Sequence, residues 1–371
     1  MRLLYLVTAI LLLLTAPSAS AEDSLAVSYD FAHLPTPIAG VAGGRDVVFI
    51  GEPLNSSVVA LSRLTGRQVG ALPAPPSGFV LPFIVHSLGE GRIAVLDAGG
   101  TPQPDPPVLA NPTIYEYAYS TSGGFSAQLV RTIRFTGVPV GFAEDFVLLP
   151  DGRYLLSDAI LGSVWVVQPD GTVTPGIVPK TFEPADFLPQ LALCPTMPKV
   201  TVNGVPFLFS GSTLPGVSPL AVRDGKVYYY SPCARGIYSF PLSVLSDHRQ
   251  PYERAADIRL VAPTPADVPV EELLDFTFNP YNPADRYLYA ADALQLRVIR
   301  IDLATGARQV VAGDPRRFDF PSALGFLPTT GGLSELVVVS NQQERLTVTN
   351  DAITEDAPNL PFVVAKVLVT R

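Results

Sequence analysis

Short apolar runs rich in Val, Ile, Leu and Tyr alternate along the chain with Gly, Pro, Asp and Asn turns, and helical periodicity is almost absent. That pattern predicts an all-β fold of many short strands. The clearest stretch sets a repeat. Glu144-Asp145-Phe146-Val147-Leu148-Leu149 predicts one strand and Pro150-Asp151-Gly152 a turn. Residues 153–157 then predict a second strand, residues 163–167 a third, and Pro169-Asp170-Gly171 a turn into a fourth. Four antiparallel strands joined by tight turns make one propeller blade. The same grammar recurs, with second strands beginning near residues 46, 92, 153, 226, 287 and 336. The predicted architecture is therefore a six-bladed β-propeller with four-stranded antiparallel blades. Two Pro-rich insertions, residues 99–112 and 176–217, interrupt it; loops of such length act as lids or surface ornament. Either residues 25–30 or residues 362–370 are expected to supply the outer strand that closes the ring and removes its exposed edges.

The N-terminus adds a compartment. Arg2 precedes a Leu-dominated apolar run over residues 3–14, then Pro17 and Ala19-Ser20-Ala21, the three regions of a signal peptide. The run is too short to cross a bilayer, which takes roughly 20 apolar residues. Residues 1–21 are thus expected to be a signal peptide and residues 22–371 a single propeller domain, secreted or in the secretory-pathway lumen. Cys194 and Cys233 are the only cysteines, and in an oxidising route an even pair predicts one disulfide. Asn55-Ser56-Ser57 is the only glycosylation sequon and falls in an expected surface turn.

Composition sharpens the partner class. Hydrophobic residues make up 47% of the chain and charged residues 16%, which is too much apolar surface for disorder. The net charge is -9 and no Lys/Arg cluster occurs, so neither nucleic acid nor a membrane surface is an expected partner. A small apolar organic substrate is.

Within a blade the innermost strand runs from one face of the ring to the other and the second strand runs back. First-strand starts and second-strand ends therefore share one face around the axis. The first strands offer Phe83, His86, Glu144, Asp145, Ser218, Asp275 and Ser322, and the second-strand ends offer Asp97, Asp158, Ser231, Asp292 and Asn341, with the aromatic Tyr230 beside Ser231. Asp and Asn at strand ends cap their own turns, the expected role of Asp97, Asp158, Asp292 and Asn341, the last also a candidate contact. A carboxylate at the narrow centre is costly unless hydrated, paired or bound, which marks Glu144 and Asp275 as candidate catalytic acids. Phe83, His86, Asp145, Ser218, Tyr230, Ser322 and Asn341 are the candidate substrate contacts. His33, His86 and His248 lie far apart in sequence, so a zinc site is not expected, whereas calcium at Asp275 stays open. Neither a G-x-S-x-G elbow nor a Gly-rich phosphate loop is present.

Residues 200–245 carry a resemblance. Val200-Thr201-Val202-Asn203-Gly204, Gly216-Val217-Ser218-Pro219-Leu220-Ala221-Val222, Val227-Tyr228-Tyr229-Tyr230-Ser231 and Ile237-Tyr238-Ser239-Phe240-Pro241 resemble the yellow/major royal jelly proteins. Pro150-Asp151-Gly152-Arg153 with Leu156-Ser157-Asp158 resembles both that family and the related gluconolactonase group, and the likeness runs over residues 143–340. Such motifs specify fold well and activity poorly. The gluconolactonase resemblance implies lactone hydrolysis with a divalent metal on a Glu, an Asn and an Asp. By position Asp275 matches that Asp, while Ser218 or Ser322 stands where the Asn is expected. The related paraoxonase-like propellers add a His pair that is not evident here. Yellow-type proteins imply binding of small amines, and strictosidine-synthase-like propellers imply metal-free condensation through a channel Glu. Fungal hetero-Diels–Alderases are similar in architecture. Together these place a metal-free ring-forming enzyme first, with no cofactor. A calcium-dependent lactonase or esterase comes second, and a non-catalytic ligand-binding propeller third.

Overall fold

A computed structural model describes residues 26–370, apart from residues 90, 101–110, 136–137, 193, 195–196, 210–215 and 329–332. The expected signal peptide and parts of both Pro-rich insertions lie outside the described residues. The chain is a six-bladed β-propeller. Blade 1 is Ala39–Gly43, Val47–Glu52, Ser57–Ser62 and Gln68–Ala71, and blade 2 is Pro82–Ser87, Arg92–Asp97, Thr113–Ser120 and Ser126–Arg134. Blade 3 is Ala143–Leu148, Tyr154–Asp158, Ser163–Val167 and Val173–Ile177. Blade 4 is Leu220–Arg223, Lys226–Ser231, Gly236–Pro241 and Arg259–Pro263. Blade 5 is Leu273–Phe278, Tyr287–Asp292, Arg297–Asp302 and Arg308–Gly313. In blade 6 the strands Pro321–Leu327 and Leu333–Ser340 are completed by Phe362–Thr370 and, outermost, by Ala26–Leu34. Both ends of the chain thus close the ring, where the sequence led us to expect one.

Burial explains why the strands read as apolar runs rather than alternating ones. Val47–Glu52 is buried along its whole length. Its residues alternate between two faces, and each face meets a different blade. Val48 and Ile50 pack into the blade 6–blade 1 core, while Val47 and Phe49 pack into the blade 1–blade 2 core. The other four blade pairs have a core of the same kind. Trp165 belongs to the blade 2–blade 3 core and Tyr229 to the blade 3–blade 4 core.

The second insertion contributes a hairpin, Val200–Val202 with Val205–Phe207. The Leu208 N–H donates to Asn350 Oδ1 at 3.0 Å, and Asn350 Nδ2 donates to the Pro206 carbonyl at 2.8 Å. These bonds tie the hairpin to the long blade 6 loop. Cys194, in the same insertion, is bonded to Cys233 beyond the second strand of blade 4. The bridge closes a sequence separation of 39 residues. For a loop of that length, chain-entropy arguments give about 4 kcal/mol. Replacing both cysteines by Ala is expected to lower unfolding stability by roughly that amount in urea titrations, and an unchanged midpoint would count against the bridge as a staple.

Candidate active site

Five of the six inner strands carry a bulge at their second residue. The register shifts at Gly40, Phe83, Glu144, Leu274 and Ser322. Ser218 holds the corresponding place in blade 4, where its N–H donates to the Tyr230 carbonyl at 3.2 Å. A bulge leaves one residue unpaired and re-aims its side chain. In blade 1 only glycine fits, because a Cβ on Gly40 would lie 2.5 Å from the Phe83 carbonyl oxygen. In blades 2, 3 and 5 the bulge turns Phe83, Glu144 and Leu274 toward the axis at the face where the inner strands start.

There they line a pocket of about 120 Å³, here called the upper pocket. Its lining includes the bulge residues Phe83, Glu144 and Leu274 and the equivalent Ser218, and Glu272 and Asn341 add two more polar groups. Leu81, Phe142 and Ile160 supply apolar wall, with the Phe83 and Phe142 rings edge-to-face at 5.6 Å. No Lys, Arg or His is among the lining residues. Burial pushes the Glu144 carboxyl up to about 8, the Asp145 charge adds to the rise, and the nearby Ser218 hydroxyl opposes it. Glu272, 2% exposed, is held well above the usual carboxylate range by burial first and then by the charges of Glu144, Glu271 and Asp292. Among the described residues two buried oxygens of this pocket, Glu272 Oε2 and Asn341 Oδ1, have no hydrogen-bond partner, and the Ser218 hydroxyl lies against the Glu144 carboxyl.

A second, lower cavity of about 450 Å³ opens where the inner strands end. His86 and Asp275 line it, so these two expected site residues do not join Glu144. The reason is register. Asp275 follows the bulge in blade 5 as Asp145 follows it in blade 3, and both point along the channel into the next inner strands. Asp145 Oδ2 accepts the Leu220 N–H at 2.7 Å, and Asp275 Oδ2 accepts the Leu324 N–H at 2.8 Å. Each carboxylate therefore staples its blade to the next. Asp145 Oδ1 also accepts from His86 Nε2 at 3.0 Å. Burial pulls the His86 pKa down, but the Asp145 hydrogen bond and the Asp145 and Asp275 charges outweigh it, leaving His86 above its ordinary value. Asp275 is pushed up to about 8, by burial first and then by the Asp145 charge.

Two further expected contacts also lie elsewhere. Tyr230 is fully buried, and its hydroxyl donates to the Glu271 carbonyl at 2.6 Å inside the blade 4–blade 5 core. Ser322 occupies the blade 6 bulge, but its hydroxyl donates to the Val339 carbonyl at 3.4 Å and it lines neither cavity. Of the four expected turn caps, Asp97 and Asp158 hold backbone N–H groups. Asp97 accepts the Val80, Leu81 and Gly99 N–H groups, and Asp158 those of Gly141, Phe142, Ile160 and Leu161. Asp292 pairs with Arg297 at 2.8 Å. Asn55 is exposed in the turn Pro53–Asn55, beside Pro53 and Leu54 of the upper pocket. Glu272 was not among the sequence candidates. Its only signal is its place beside Glu271, directly before the inner strand of blade 5. Glu271 is taken by Arg308 at 3.0 Å and Thr264 at 2.8 Å, which leaves Glu272 to the pocket.

No family model matches the chain, and no curated protein matches it by sequence. Solved structures match it by shape. A luciferin-regenerating enzyme superposes with a TM-score of 0.53 at 14% identity, covering 92% of this chain and 95% of its own. Regucalcin of Agrobacterium tumefaciens, a calcium-binding protein, gives 0.52 at 12% identity over 92% and 96%. A gluconolactonase of Xanthomonas campestris gives 0.51 at 13% identity over 92% and 89%. The likeness is one of fold. It places the chain among six-bladed propellers of the expected kind and leaves the chemistry to the site itself.

Proposed function

We propose that this propeller is a hydrolase of small esters or lactones that works with a hard divalent cation, calcium foremost, in the upper pocket. The reading rests on one observation: among the described residues Glu272 Oε2 and Asn341 Oδ1 are buried without a donor, and they share a pocket with the Glu144 carboxyl and the Ser218 hydroxyl. A buried polar atom left unpaired costs about 1–3 kcal/mol. A single proton would satisfy one such acceptor, whereas a cation would satisfy them together. Two carboxylates with an amide and a hydroxyl oxygen form an all-oxygen set, which suits calcium and not zinc. Among the described residues no group of three or more His, Cys, Asp and Glu clusters as a metal site, so the set is weakly charged. Asp275, the metal residue the resemblance implied, is not part of it.

When bound, such a cation supplies Lewis acidity toward a carbonyl oxygen and a more acidic water. The chain does the rest. Glu144, Glu272, Ser218 and Asn341 would hold the cation, and the walls of Leu81, Phe142 and Ile160 would keep bulk water from the scissile group. Glu144 is partly open to the pocket while Glu272 is fully buried. Glu144 is therefore the group placed to take a proton from the attacking water at a carboxylate oxygen and to pass it on to the leaving alkoxide.

The experiment is metal content of the purified protein, with thermal stability and p-nitrophenyl acetate turnover before and after EDTA. A ligand bound only by the folded state at about 100 times its Kd contributes about 2.7 kcal/mol. We expect stoichiometric calcium, a melting point several degrees lower on chelation, and loss of turnover. No metal, no shift and chelator-resistant turnover would overturn the reading. The metal-free ring-forming alternative would then stand on a different observation, the Glu144 carboxyl held near 8. Such a group stays protonated at neutral pH and can donate to a substrate posed in an apolar pocket.

A further inference from the structure

We infer that the upper pocket is selective for uncharged aryl or short-alkyl esters and lactones, and that it rejects sugar lactones and anionic substrates. The inference rests on the hydrolase reading above and adds the substrate class to it.

Size comes first. A pocket of about 120 Å³ is slightly smaller than the ~150 Å³ cavity known to take benzene. It receives one unsubstituted ring or a few carbons, with the rest of the molecule in the mouth. Leu54, 56% exposed, and Val348, 41% exposed, line that mouth and offer it apolar surface.

Polarity comes second. Apart from the four cation-holding residues, the polar side chains lining the pocket are Gln343 and Thr349. The Thr349 hydroxyl is engaged with the Gln343 and Leu346 carbonyls of its own loop at 2.7 and 3.1 Å. A sugar lactone brings several ring hydroxyls into this space, and most would be buried against Phe83, Phe142, Ile160 and Leu274 without a partner. One misplaced hydroxyl in an apolar pocket is discriminated about 100-fold, so several give at least that.

Charge comes third. With the cation bound the two carboxylates are neutralised, and no basic side chain among the lining residues offers an anion a partner, so burying a charged group against the apolar wall stays costly.

The test compares kcat/KM of the calcium-loaded full chain for 3,4-dihydrocoumarin and D-glucono-δ-lactone, and for phenyl acetate and 4-acetoxybenzoate. The aryl lactone is expected to lead the sugar lactone by at least about 100-fold, and phenyl acetate to lead its carboxylated analogue by at least about 10-fold. Equal or inverted ratios would overturn the selectivity. Calorimetry with indan-1-one and D-gluconamide decides the same question if no ester is turned over. In that case the hydrolase reading falls alone, and the selectivity stands if indan-1-one binds at least about 10-fold tighter. It falls too if D-gluconamide binds equally or better, or if neither binds. The wall variant Leu274→Asn is expected to narrow the aryl-to-sugar ratio, and a ratio unmoved by it would place the selection outside this pocket.

Discussion

Glu272→Gln is expected to stabilise the metal-free protein at pH 8 by roughly 1–3 kcal/mol and to abolish its stabilisation by calcium. Glu272 is buried, one of its oxygens has no partner, and burial together with the Glu144 charge holds its carboxyl well above the ordinary value. The sign follows from linkage. A carboxyl whose folded pKa is raised binds its proton more tightly in the folded state. Its favourable contribution is complete below the unfolded value of 4.5 and is lost as pH rises toward the folded one. For Glu144 that window runs from 4.5 to about 8. In chelator the wild-type protein should therefore lose stability as pH rises from 4.5 to 8, with each such group contributing at most about 1.4 kcal/mol per pH unit. Gln keeps the volume and removes the titration, so the slope flattens. A cation needs both carboxylates ionised, so calcium binding near pH 7 should release protons, and fewer as the pH rises past the Glu144 value of about 8. Calorimetry in buffers of different ionisation enthalpy reads this directly. Calcium binding without proton release, or a Glu272→Gln protein that binds calcium as the parent does, would refute the two-carboxylate site.

The ring itself was legible because its signals are local. Pro150-Asp151-Gly152 and Ala304-Thr305-Gly306 mark tight turns by residue type. Strands buried on both faces by neighbouring blades write themselves as runs such as Val47-Val48-Phe49-Ile50. The capping roles of Asp97 and Asp158 were legible for the same reason, since each serves the loop next to it. The site was only partly legible. Phe83, Glu144, Ser218 and Asn341 were found by position, but the bulge has no composition cue: Gly40, Phe83, Glu144, Leu274 and Ser322 share a backbone role and no chemistry. Without it, Glu144 and Asp275 look equivalent, although a one-residue slip sends them to opposite ends of the channel. Glu272 was hidden beside Glu271, because which of two adjacent carboxylates faces Arg308 is decided by the pleat and the next strand. Tyr230 was over-read for a related reason. In Tyr228-Tyr229-Tyr230 successive rings go to different faces, and both faces of a propeller blade are core.

A chain that ends at residue 361 is expected not to fold. The strand Phe362–Thr370 lies between Leu333–Ser340 and Ala26–Leu34 and pairs with both. Its buried side chains serve two cores at once, with Phe362 and Val364 facing blade 1 and Ala365, Val367 and Val369 facing blade 5. Burying one large aliphatic or aromatic side chain contributes about 1.5–3 kcal/mol, so losing four such side chains removes about as much as the 5–15 kcal/mol of a whole domain. The N-terminal strand would also lose its only neighbour in the sheet. Far-UV circular dichroism and thermal melts of the truncated chain should show no cooperative transition, and one within a few degrees of the full chain would disprove closure as the source of stability. Removing Ala26–Leu34 instead should be milder. That strand buries only Ala26, Ala32 and Leu34, and its loss bares one sheet edge while the blade 6–blade 1 core loses Leu34 but keeps Phe362 and Val364. The two truncations therefore differ in kind. The first opens the ring, and the second uncovers its rim.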